Sequence, residues 1–121
     1  IAAGGPKGLR LAALHGRNWV TVGPTGRVRG TPETVFEAIT RQLPLLDEVC
    51  RAVGRESSSI GRILLWTPTE PVITSLDQFD ELVGPVAELG FNQFVLHHPA
   101  QTGPYGGDMK TFEKIAERAA A

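Results

Sequence analysis

The chain lacks the marks of several functional classes. It has a single cysteine, Cys50, so an intrachain disulfide is excluded. Cys50 falls on an apolar helical stripe, where the expected role is that of a small buried hydrophobe. A reducing, cytoplasmic compartment is expected with it. No apolar run approaches the ~18 residues of a membrane span, and no signal peptide is visible. Basic residues number 12 against 13 acidic, for a net charge of -1, and no basic stripe stands out. Nucleic acid is therefore not an expected partner. There is no Walker loop, GxGxxG fingerprint, HExxH helix, cysteine pair or nucleophile elbow. No metal site and no catalytic acid or base is expected.

The 121 residues, 41% hydrophobic and 21% charged, are of ordinary globular composition and are expected to form one domain over 1–121. Punctuation divides them into four strand–helix units. Ile1 to Ala3 read as a strand end, with Ile1 opening directly inside an apolar run, as if a strand had lost its beginning. Gly4-Gly5-Pro6 then starts a helix to about Leu14, Pro6 suiting its first position. Its inner face is expected to carry Leu9, Ala12 and Ala13. Trp19 to Val22 is a β-rich strand closed by Gly23-Pro24. Thr31-Pro32 opens a second helix with a stripe of Phe36, Ile39, Leu43, Leu46, Cys50 and Val53. Pro44 should kink it, and Gly54 ends it. Ser57, Ser58 and Ser59 form a turn leading into the third strand. That strand, Arg62 to Thr67, is a continuous apolar run suited to a parallel sheet. Ser75 to Gln78 reads as a capping box for the third helix, whose stripe is Phe79, Leu82, Val83 and Val86. Pro85 should bend that helix, and Gly90 stops it. Phe91 to Leu96 is the fourth strand. A polar loop follows, and Asp108 caps a last helix carrying Phe112, Ile115, Ala116 and Ala119. Strict alternation predicts an α/β fold with a parallel sheet in chain order and helices over one face.

Ligands of parallel α/β folds bind at the carboxyl ends of the strands. Ala3 to Lys7, Val22 to Thr25, Trp66 to Pro68, and His97 to Pro99 should meet on that edge. The first segment is the most informative. Its glycines allow close approach to the backbone, and the free N–H groups of the first helical turn, with the helix dipole and Lys7, favour a phosphate. The same residues would equally make a tight strand-to-helix turn with no ligand. His97 and His98 point to opposite faces of a strand and do not easily chelate one ion. Tyr105-Gly106-Gly107 reads as a connector or a lid.

The segment from Ile1 to Ala13, Ile-Ala-Ala-Gly-Gly-Pro-Lys-Gly-Leu-Arg-Leu-Ala-Ala, resembles the glycine-rich strand–helix segment of luciferase-like monooxygenases. Its Gly-Pro variant looks most like the members that use coenzyme F420. Leu46 to Arg55 is similar to a recurring helix of that superfamily, as is Phe79 to Val83 followed by Glu88 to Phe91. The resemblance covers nearly the whole chain in order. It implies the C-terminal half of a TIM-type (β/α)8 barrel, so a truncated barrel. It also implies an oxidoreductase or monooxygenase that transfers hydride between FMN or F420 and a small organic substrate. Ala3, Gly4, Gly5 and Pro6 would line the cofactor site, and Thr21, Val22 and Gly23 would form its neighbouring edge. Gly16-Arg17-Asn18 departs from the family, which often shows an Ala-Asp-Gly-like sequence there.

Two other readings compete with this one. A non-catalytic module would be held together by self-association, and a small doubly wound protein would bind a nucleotide. The absent GxGxxG argues against the nucleotide binder. Open sheet edges and apolar strands predict a homodimer or larger even homo-oligomer, with Trp19, Ile63, Leu65 and Phe94 as candidate contacts.

Overall fold

A computed structural model describes residues 1–24, 30–67, 73–103 and 106–120. Helix α1 (Pro6–His15) starts on the extended backbone of Gly5, with Pro6 in its first turn, where a missing N–H costs nothing. Strand β1 (Asn18–Thr21) follows, then α2 (Pro32–Ala52), a 3-10 turn (Ser57–Ser59), β2 (Gly61–Leu65), α3 (Leu76–Glu88), β3 (Gln93–Val95) and α4 (Met109–Ala120).

The three strands are parallel and lie in chain order, β1-β2-β3. Four strands were expected, the first of them as a strand end, and it is a single parallel bridge, Ala2 to Val20. Its backbone bonds are sound: Ala3 N–H donates to Val20 O and Val20 N–H to Ile1 O, each at 3.0 Å. The Gly4-Gly5-Pro6 turn takes the chain away after this one bridge. β1 is offset by one residue from the expected Trp19–Val22, and β2 and β3 are shorter than their expected runs, although Trp66 N–H still reaches Val95 O at 3.0 Å.

Alternation sorts the strand residues onto two faces. Trp19, Thr21, Leu64 and Trp66 are all at most 3% exposed. Register sets Thr21 beside Leu64 and Leu64 beside Phe94, on the same face. On the opposite face Val20, Ile63 and Leu65 are half-buried, and Val95 is exposed. Two of the four expected dimer contacts, Trp19 and Phe94, therefore lie on the buried face, and only Ile63 and Leu65 belong to the open one.

The buried face of α2 carries Val35, Ile39, Gln42, Leu46 and Cys50. The expected stripe is thus displaced by one residue at two steps: Phe36 is 40% exposed, and Leu43 is only partly buried. The helix continues through the exposed Pro44, as α3 continues through Pro85. Thr31 caps α2 with a reciprocal box: Thr34 N–H donates to Thr31 Oγ1, and Thr31 N–H to Thr34 Oγ1. Only half of the expected box forms at α3. Ser75 Oγ accepts from Gln78 N–H, but Gln78 Oε1 turns to Thr74, taking its N–H and hydroxyl. Gly54 and Gly90, at φ 74° and 91°, end α2 and α3 in the left-handed region. Asp108 caps α4 by accepting from Thr111 N–H and Oγ1. These bonds, the hydroxyl first, hold its carboxyl below the ordinary value. Of the expected α4 face Ile115 is buried and Ala116 and Ala119 are exposed, Thr111 taking the second inward place.

Candidate ligand site at the carboxyl edge

The turn after Ala3 and the end of β1 enclose a cleft of about 160 Å³, lined by Ala2, Ala3, Gly4, Val20, Thr21, Val22, Gly23 and Leu65. Ala3, Gly4, Thr21, Val22 and Gly23 are thus brought together as expected of a shared site. Gly5, Pro6 and Lys7 do not line it; they open α1 beside it, all exposed. Thr25 and Pro68 lie outside the described residues, as does Tyr105 of the polar loop.

The cleft is held by close backbone packing. Trp19 Nε1–H donates to Ala3 O at 2.8 Å, tying the Gly4 turn to β1 from below. A Cβ on Gly8 would sit 2.7 Å from Ala3 Cβ, so α1 can approach the strand this closely only with glycine there. Gly23 takes φ 87°, which a side chain rarely adopts, and faces Val35. At Gly5 a Cβ would meet nothing within 4 Å, so the first turn of α1 stands open to an incoming group.

Thr21, named as a site residue, does not present its hydroxyl to the cleft. Its Oγ1 donates to Gln42 Oε1 at 2.7 Å and accepts from Gly23 N–H at 3.0 Å, while Gln42 Nε2 donates to Gly23 O at 2.8 Å. This buried ring satisfies each of its members and fixes the Thr21–Gly23 corner. Gln42 is the residue the sequence reading missed. Its signal is a carboxamide three residues after Ile39 and four before Leu46, inside an apolar stripe.

Other candidates have structural surroundings. Ser57 Oγ donates to Asp47 Oδ1 and accepts from Arg62 NH2 at 3.1 Å, which anchors the 3-10 turn. His98 is exposed and sets its ring edge-on against Phe112 of α4, centroids 5.1 Å apart. Cys50 is fully buried, and desolvation pushes its thiol above the ordinary value while Arg55 opposes this. Among the described residues no cluster of three His, Cys, Asp or Glu side chains gathers as a metal site would. No described helix is long and apolar enough to cross a membrane.

No protein-family model matches the chain, and neither a curated protein nor a solved structure does.

Proposed function

We propose that the chain supplies one wall of a flavin or F420 site in a luciferase-like oxidoreductase, with the cleft beside Gly4 receiving the edge of the ring system. The observation that carries this reading is the meeting of Ala3 and Gly4 with Thr21, Val22 and Gly23 at the carboxyl ends of parallel strands. The lining suits a flat apolar edge: it is glycine, alanine, valine and leucine, and its one hydroxyl is already paired. The open first turn of α1 at Gly5, with the exposed Lys7, suits the cofactor's phosphate. When bound, such a group supplies hydride transfer, and these residues hold and orient it.

A tricyclic ring exceeds a cleft of about 160 Å³, so the described residues enclose it only in part. Binding to this chain is accordingly weak, with a dissociation constant above about 1 μM. Titration of FMN and F420 by fluorescence, with backbone resonances followed in parallel, is the test. Saturable shifts centred on Gly4, Gly5 and Gly23 are expected, and Gly5→Trp should remove them. The backbone there has room for a side-chain root, because nothing lies within 4 Å of the new Cβ. Shifts that avoid these residues, or binding unchanged by Gly5→Trp, would reject the reading.

A second reading has its own observation. Val22 and Val95 are 40% and 41% exposed, on the same sheet face as the half-buried Ile63 and Leu65. This apolar face favours a homodimer built on that side of the sheet. Sedimentation equilibrium that returns only monomer mass at micromolar concentration would reject it.

A further inference from the structure

We infer that the opposite edge of the sheet holds a separate binding site for the phosphate of a small organic phosphate. A pocket of about 540 Å³ opens at the amino ends of β1 and β2, between the 3-10 turn and the Gly90 corner, and among its walls are Arg17, Asn18, Ser58, Arg62 and Asn92. That volume falls within the range of about 300–1,000 Å³ common for small-molecule sites. It is more than three times the carboxyl-edge cleft at about 160 Å³.

The chemistry of the lining is one-sided. No carboxylate is among its residues, and it includes two guanidinium groups, two carboxamides and two seryl hydroxyls, of which that of Ser59 is engaged by Arg55 and Glu56 O. The nearest acid in contact with these groups is Asp47, 3.6 Å from Arg62 NH2, and it does not line the pocket.

Several donors are also uncommitted. Arg62 is anchored: NH1 donates to Leu89 O at 3.2 Å and NH2 to Ser57 Oγ, so its charge is fixed in place with its side chain only 17% exposed. Asn92 Oδ1 accepts from Arg62 N–H at 3.0 Å, which orients the carboxamide and leaves its Nδ2 donor over. Arg17, Asn18 and Ser58 enter no side-chain hydrogen bond within the described residues. The polar residues come from segments at 17–18, 58, 62 and 92, and Asn18 Oδ1 and Asn92 Nδ2 both lie over Gly61, where a Cβ would meet the Asn18 oxygen. A planar carboxylate is best met by one fork, whereas a tetrahedral phosphate accepts from several directions at once. The volume beyond the phosphate leaves room for an organic body.

The site is independent of the cofactor reading, because it uses none of the residues of the carboxyl edge. The experiment titrates inorganic phosphate and phenyl phosphate into the 121-residue chain at constant ionic strength. Acetate and chloride serve as comparisons, and backbone and side-chain amide resonances are followed. Saturable shifts at 17–18, 58–62 and 92 are expected with both phosphates, tighter for phenyl phosphate, at dissociation constants of about 1 mM or below. Arg17→Ala and Asn92→Asp should each weaken binding by about tenfold or more. Asn92→Asp keeps the acceptor for Arg62 N–H, so it tests the donor rather than the fold. Shifts confined to Gly5, Lys7 and Gly8 would overturn this site while supporting the phosphate role of the other edge. Equal responses to acetate and chloride, no saturation, or binding unchanged by both substitutions would also overturn it.

Discussion

Helices α1 and α2 with β1 form the driest region of the molecule: Leu9, Ala12, Trp19, Ile39, Leu46 and Cys50 are all fully shielded. Beyond β2 the packing is looser. Leu82 and Ile115 each keep 9% exposure, Phe91 keeps 7%, and Phe94 is only partly buried. The first region also has polar ties across long chain separations. Arg55 NH1 holds Ala13 O and Gly16 O at 3.0 and 2.6 Å, and so closes the end of α1 with a cation where the helix dipole favours one. The second region relies more on aromatic contacts, with Phe94 stacked near Trp66 and edge-on to Phe79. The contrast indicates that stability is concentrated around β1, and that α4 is the element that opens first.

Mutations can break or sharpen this contrast. The largest loss is expected at Trp19→Ala, about 3–5 kcal/mol, because it removes a large buried ring and the bond to Ala3 O. Urea unfolding at equilibrium measures it. Ile115→Ala, in the looser region, should cost less, about 2 kcal/mol or below, since its site is less enclosed. Equal losses at the two positions would refute the contrast. Gln42→Leu should cost about 1–3 kcal/mol by leaving the Thr21 hydroxyl and Gly23 carbonyl without their partners.

A smaller effect concerns pH. Asp108 has a lowered folded pKa, so its contribution is present above the unfolded value of about 3.9 and is lost as pH falls below it. Asp108→Asn should flatten this acid limb and raise amide exchange in α4 without touching α1. Cys50 has the opposite sign: its raised pKa makes its contribution fade as pH climbs past about 8.5. The smallest effect is Arg118→Ala. It breaks an exposed pair with Asp80 and should change stability by about 0.5 kcal/mol or less.

Much of this architecture was legible because it rests on local chemistry. Pro6, Thr31 with Pro32, Ser75 and Asp108 mark helix starts, while Gly54 and Gly90 mark stops, and strand–helix alternation gives the parallel order. The buried face of α2 was harder to assign. Phe36 and Leu43 outbid Val35 and Gln42 on hydrophobicity alone, and only the polar ring with Thr21 explains why a carboxamide faces inward. The grouping of Ala3 and Gly4 with Val22 and Gly23 followed from topology, whereas Thr21 was named only through the resemblance. The pocket at the amino edge did not, because Arg17, Ser58, Arg62 and Asn92 become neighbours only once β2 has paired with both β1 and β3.

The contact between Gly8 and Ala3 bears on how this sequence can drift. The two positions share space for a single methyl group, since a second one would lie 2.7 Å from the first. Gly8 cannot gain a methyl alone without pushing α1 off the strand. The reciprocal exchange, Ala3→Gly with Gly8→Ala, would hand the methyl from strand to helix and preserve the contact. Substitutions at these sites are therefore coupled, each one's tolerance set by the other. Because Ala3 also lines the cleft, the exchanged pair would leave the same packing behind a wider wall, a route by which the cleft can change shape without a change of fold.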